Sequence, residues 1–165
     1  MRKKDKFQIV SGFTLIEMLV VLTIFALVMV TISGIFLASL RASFKSESIK
    51  EVKQNGNYAL SVITRALKDA SELTSCTGTS RVDYKDADKN PAYFECVNNT
   101  IASGSATIRL TSNSVSVSPC SFVCVSGNGQ SPTVNIDYTV ARTGTGNTSE
   151  TATIKFKTQV TLRAI

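Results

Sequence analysis

The sequence predicts an α+β chain. A long N-terminal α-helical spine, half membrane-type and half amphipathic, packs on a C-terminal antiparallel β-sheet domain. Three observations carry this reading. From Met18 to Leu40 run 23 residues without a charge. Ala59, Val62, Ile63, Ala66, Leu67, Ala70 and Leu73 then recur every three or four positions, the spacing of one helix face. From Arg81 onward the apolar period drops to two, the signature of strands with one buried face.

The chain begins with a short basic leader, residues 1–12. Arg2, Lys3, Lys4 and Lys6, against Asp5 alone, place +3 of the total +6 within the first six residues. Without residues 1–12 the balance is 14 basic against 11 acidic residues, an ordinary surface value. The uncharged run would extend roughly 34 Å as a helix at ~1.5 Å per residue, enough to cross a hydrocarbon core of about 30 Å. It is longer than the ~7–15 apolar residues of a secretory signal. The candidate processing residue, Gly12, also precedes it instead of following it. A basic leader keeps the N-terminus inside and leaves the residues after about 40 outside. One carboxylate, Glu17, stands where hydrocarbon is expected. Burying an ionised carboxylate at the bilayer centre costs on the order of 2.5 kcal/mol or more, which marks it as functional.

The series Gly12-Phe13-Thr14-Leu15-Ile16-Glu17 ahead of an apolar run resembles the prepilin motif of type IV pilins and type II secretion pseudopilins. The resemblance covers residues 1–40 and implies a pilin-like fold. It implies that a membrane peptidase cuts after Gly12 on the cytoplasmic side and methylates the new amine of Phe13, making Glu17 the fifth residue of the mature chain. The partners it implies are the prepilin peptidase/methylase, other pilin or pseudopilin subunits, an inner-membrane assembly platform, and the lipid bilayer before assembly. The location it implies is the cytoplasmic membrane, single-pass with the head domain outside, then a pilus or pseudopilus. Cleavage would create a positive amine about one helical turn from Glu17. In a helical array, Glu17 of one subunit could pair with the Phe13 amine of a neighbour. Losing one partner of such a pair in a dry core costs about 3–5 kcal/mol, so the pair would fix axial register between subunits. Lys53-Gln54, Ile63 and Leu67-Lys68-Asp69-Ala70, with Phe156 and Gln159-Val160-Thr161-Leu162-Arg163, resemble the W/J-type minor pilins and pseudopilins. That likeness implies a minor subunit that primes or caps the filament.

Gly34, beside Ser33, interrupts the apolar run at about 1 kcal/mol in a helix interior. It reads either as a point where the spine loosens or as a glycine tolerated in a membrane helix. Charges return at Arg41, Lys45, Glu47, Lys50, Glu51 and Lys53, opening the amphipathic half. Asn55-Gly56-Asn57 is expected to kink it. The helix is expected from about Phe13 to about Leu73. The apolar series lasts about two heptads, too short for a coiled coil, so it predicts core packing. The division is then 1–12 leader, 13–40 membrane or filament-core helix, 41–75 amphipathic extension, and 76–165 β-rich exported head.

In that head, Ser105–Thr111 and Ser114–Ser118 alternate around Ser112-Asn113 and predict a hairpin. Further strands are expected at 92–97, 121–125, 134–140 and 151–162. The last places Ala152, Ile154, Phe156, Val160 and Leu162 on one phase with Thr158 facing inward, after a loop at Gly144–Asn147. Ser and Thr dominate the other phase, as on an exposed antiparallel face.

All four cysteines, Cys76, Cys96, Cys120 and Cys124, follow the apolar run and predict two disulfides in an oxidising compartment. Three pairings are open. In one extended strand Cys120 and Cys124 would stand about 13 Å apart, beyond the ~7 Å limit for a bridge. They can bond each other only across a turn, which Pro119 offers; otherwise both reach back to Cys76 and Cys96. The preferred expectation is Cys76–Cys96 with Cys120–Cys124. A four-thiolate zinc site is the competing reading, but the spacings of 19, 23 and 3 residues lack paired CxxC knuckles.

The chain has no His and no Trp. This removes His-based nucleophile systems and His-ligated metals, and the expectation is no enzyme, no cofactor and no metal site. Asp86-Ala87-Asp88-Lys89-Asn90 alternates carboxylates like a calcium loop. Yet Pro91 stands where that loop needs Gly, and Val97 where it needs Glu, so a solvated turn is expected. Asn98-Asn99-Thr100 and Asn147-Thr148-Ser149 match the glycosylation sequon, which carries no information in a bacterial-type protein. Lys85, Lys89, Arg109, Arg142, Lys155 and Lys157 motivate an alternative, a DNA-uptake minor pilin with a DNA-binding head. No basic cluster with interleaved aromatics supports it.

Overall fold

The structure, a computed structural model, describes residues 12–76, 79–104, 108–125, 131–143 and 151–163. Two compact units divide between Leu40 and Arg41. One helix, α1 (Leu15–Asp69), is followed by β1 (Glu72–Ser75), β2 (Arg81–Lys85), β3 (Pro91–Val97), β4 (Thr100–Ser103), β5 (Ile108–Arg109), β6 (Val115–Val125), β7 (Thr133–Arg142) and β8 (Thr153–Thr161). The α+β expectation is met. Residues 1–11 of the basic leader and the loop at Gly144–Asn147, with its sequon, lie outside the described residues, as do Ser105–Thr107 of the expected hairpin.

In the first unit, every residue from Gly12 to Leu40 is exposed. Helix α1 passes through Gly34 without interruption. The hydroxyls of Thr23, Thr31 and Ser33 donate to the carbonyls of Val20, Val28 and Met29, each at 2.8 Å. Such back-bonding hides the polar groups within the helix, as a lipid-facing segment requires.

The second unit is built on a stripe of α1: Ser48, Val52, Gly56, Ala59, Ile63 and Leu67 are all buried. The apolar series had marked only its second half. The first half was hidden because Ser48 and Gly56 are small, not apolar, and small residues let a sheet approach closely. The helix also runs unbroken through Asn55-Gly56-Asn57. Gly56 serves contact: a Cβ there would collide with the Phe156 ring of β8. Asn55 accepts the Ser112 N–H at 2.9 Å and so anchors the loop after β5. The helix stops at Asp69, short of Leu73. There Ser71 turns the chain by donating its N–H to the Lys85 carbonyl and its hydroxyl to that of Asp86.

The strands form two antiparallel sheets, ordered β1-β2-β3-β4-β5 and β6-β7-β8. Buried Val82, Tyr84, Ala92, Phe94 and Ile101 line the first; Phe122, Val134, Ile136, Tyr138, Val140, Phe156 and Val160 line the second. Asn98 and Asn99 both take positive φ, 49° and 58°, and close the tight turn between β3 and β4. The expected hairpin does not form. Ile108 pairs with Ser103 of β4, whereas Val115 pairs with Arg142 of β7 in the other sheet. Period-two alternation states that a strand has a buried face and is silent about its partner.

Strand β6 replaces the expected turn at Pro119 with a bulge. Its register with β7 slips by one residue between Val117 and Cys120. The slip flips the phase, so Val115 and Val117 are buried before it and Phe122 after it. Cys120 and Cys124 therefore sit on one face of a single extended strand and cannot reach each other. The disulfides are Cys76–Cys124 and Cys96–Cys120, with Cα separations of 5.9 and 6.1 Å, which corrects the preferred pairing. Both staple β6 to the five-stranded sheet. Two hydrogen bonds reinforce them, from Val117 N–H to the Asn99 carbonyl and from Phe122 N–H to that of Thr79.

Candidate functional site

The site suggested by the sequence is the head of α1. Gly12, Phe13 and Thr14 precede the helix, and Phe13 is 74% exposed. Thr14 is the N-cap: its Oγ1 accepts the Glu17 N–H at 3.3 Å, and its carbonyl accepts the Met18 N–H at 3.2 Å. Thr14-Leu15-Ile16-Glu17 thus has the S/T-x-x-E order of a capping box. Sequence reasoning passed over this role for Thr14, although the signal was legible. Glu17 lies in the first helical turn, where its charge complements the helix dipole. Among the described residues, no ion pair or hydrogen bond engages its carboxylate.

From Leu15 to Leu40 the helix presents Leu, Ile, Val, Met and Phe on all sides, and it is long and apolar enough to cross a membrane. A helix that is apolar all round is built for burial in lipid or in an assembly. The arrangement joins an accessible Gly-Phe bond, a capped helix start with one carboxylate, and an apolar shaft.

The remaining candidate residues disperse. Lys85 pairs with Glu72, Lys155 with Asp137, and Arg142 with Glu51 while donating to Ser48 Oγ. Arg109 donates to the Asn113 side chain. Arg81 lies 3.6 Å above the Tyr93 ring and beside Asp83, whose hydrogen bond holds its guanidinium protonated more firmly still. These cations are therefore distributed among separate local contacts. In the loop before β3, Asp86 accepts the N–H groups of Asp88 and Asn90 at 2.9 and 2.8 Å. Its carboxylate is thus committed to shaping a turn. Among the described residues no group of three or more Cys, Asp or Glu is placed to hold a metal ion, and the four cysteines are consumed in disulfides.

Residues 9–33 match the family model of the prokaryotic N-terminal methylation motif. No curated protein and no solved structure matches the chain. This motif, set at the head of a long apolar helix, supports a place for the chain among type IV prepilins and pseudopilins.

Proposed function

We propose that the protein is a structural subunit, of the minor W/J kind, of a type IV pilus or a type II secretion-like pseudopilus. The carrying observation is the Gly12-Phe13 bond at the start of a capped, all-round apolar helix. Prepilin peptidase cuts after Gly12 and the Phe13 amine is methylated. Before assembly the apolar half of α1 holds the chain in the cytoplasmic membrane, with the β-rich head outside. During assembly that half moves from lipid into the filament core among other pilin or pseudopilin subunits. The Glu17 carboxylate then meets the Phe13 amine of a neighbour. That no ion pair or hydrogen bond among the described residues engages it supports this reading, because a carboxylate on an apolar shaft needs a partner. The test is mass spectrometry of the mature N-terminus. A chain that begins at methylated Phe13 is expected; an intact Met1, or a cut near Ala38, overturns the proposal.

A further inference from the structure

Among the described residues the three-stranded sheet has an open side. Strand β8 pairs with β7, and among the described residues no strand pairs with its other edge. The register shows which backbone groups that edge offers. Arg142 N–H bonds the Ala152 carbonyl, and Leu162 N–H bonds the Pro132 carbonyl. In an antiparallel ladder, residues alternate between those facing one neighbour and those facing the other. Even-numbered residues of β8 therefore bond β7. Thr153, Lys155, Lys157, Gln159 and Thr161 turn their N–H and C=O groups to the free edge. Beside that edge an open groove of about 710 Å³ lies between Thr158 and the helix, lined there by Leu60, Thr64, Arg65 and Lys68. A second hollow shares Lys68 and continues past Thr161 to Arg163.

Dimensions and charge together describe an occupant. From Asn57 to Lys68 the helix rises roughly 17 Å, the length of about five residues of extended chain. Arg65 and Lys68 face Asp69 as the one carboxylate lining the groove. None of the ion pairs among the described residues engages these three. Lys157 lies on the outer face of the same edge, and Arg163 at its end. Alternate side chains of an added strand would meet Arg65 and Lys68 on one face and Lys157 on the other.

We propose that the free edge of β8, with the groove beside it, binds an extended acidic segment of a partner protein as a fourth strand of the sheet. Strand addition takes its affinity from main-chain hydrogen bonds and its specificity from alternate side chains. The competing account is that Lys155 and Lys157 merely guard the edge against pairing. Guarding repels all added strands, whereas a docking site discriminates by charge. The inference does not depend on the filament reading.

The test uses the full chain in detergent micelles, with residue-resolved amide exchange. The probe is a nine-residue peptide alternating Glu and Thr. Its controls are the same peptide methylated at alternate backbone nitrogens and a Lys–Thr counterpart. The Glu–Thr peptide should slow exchange at Thr153, Lys155, Lys157, Gln159 and Thr161 by about tenfold or more, while the controls should not. Arg65→Glu with Lys68→Glu should weaken binding by roughly tenfold or more, about 1.4 kcal/mol. Lys157→Pro removes one outward N–H without touching the β7 ladder, and should abolish binding while the even-numbered amides stay protected. The proposal is overturned if the odd-numbered amides are already protected without peptide. It is equally overturned if they are unchanged at millimolar Glu–Thr peptide, or if either control protects them equally.

Discussion

Tyr138 of β7 donates its phenolic hydroxyl to the Gly56 carbonyl of α1 at 2.7 Å, within the buried core. Its ring stacks on Phe156 with centroids 5.4 Å apart, and the Phe156 ring in turn lies against the Gly56 Cα. Three residues from three elements thus fix where the helix crosses the sheet. The Gly56 carbonyl already serves the helix ladder, so the tyrosine takes its second lone pair. Tyr138→Phe should cost about 0.5–1.5 kcal/mol, read as a shift in the urea midpoint with an unchanged slope.

The same tyrosine makes stability sensitive to alkali. Burial pushes the Tyr138 hydroxyl well above its ordinary value of 10.0, and burial, then the nearby Asp86 charge, raises Tyr84. Above about pH 10 the unfolded chain loses these protons while the folded chain keeps them, so stability falls as pH rises from there towards the folded values. Below that pH the contribution is complete. Denaturant titrations should show a steeper decline above pH 10 for the parent than for Tyr138→Phe.

Gly56→Ala should destabilise although alanine is the better helix former by about 1 kcal/mol. The added methyl meets the Phe156 ring, which is held against Tyr138 and cannot swing away. Overpacking of this kind costs roughly 1–3 kcal/mol. Phe156→Leu in the Gly56→Ala background should recover part of the loss. A strictly additive double-mutant cycle would contradict this contact.

Peptide mapping without reduction should recover Cys76 linked to Cys124 and Cys96 linked to Cys120. Removing either bridge as a Ser pair should cost about 2–4 kcal/mol. The Cys76–Cys124 bridge spans 48 residues and the other 24. By loop-closure entropy the longer should contribute roughly 0.6 kcal/mol more.

At the other end of the chain, Thr14→Ala should fray the first turn of α1. An N-cap is worth about 0.5–2 kcal/mol, and the loss should appear as faster amide exchange at Glu17 and Met18 in micelles. Glu17→Val should leave membrane insertion intact and reduce filament incorporation or methylation. Normal values of both would refute the register role.

Much of the fold was legible, and the misses have definite causes. The long helix showed in its uncharged run and its three-four spacing, and β3, β7 and β8 in their alternation. The Asn98-Asn99 turn is also legible within its sequon, since a pair of residues tolerant of positive φ suits a tight hairpin. Strands β1, β2 and β4 span only four or five residues, too few for a periodic signal to stand out.

The processing motif, the helix cap and the apolar shaft are written in the sequence because each depends on neighbours within about one helical turn, and local order carries that information. Partner choice is different in kind. Ile108 pairing with Ser103 and not with a residue of β6, the phase flip in β6, the two disulfides and the approach of Phe156 to Gly56 all join residues from different elements, most of them far apart in the chain. Alternation reads alike whichever strand lies alongside, and a cysteine's partner depends on which strand its neighbours enter. Packing of the two sheets settled those relations, and it also left one strand edge and one basic groove side by side.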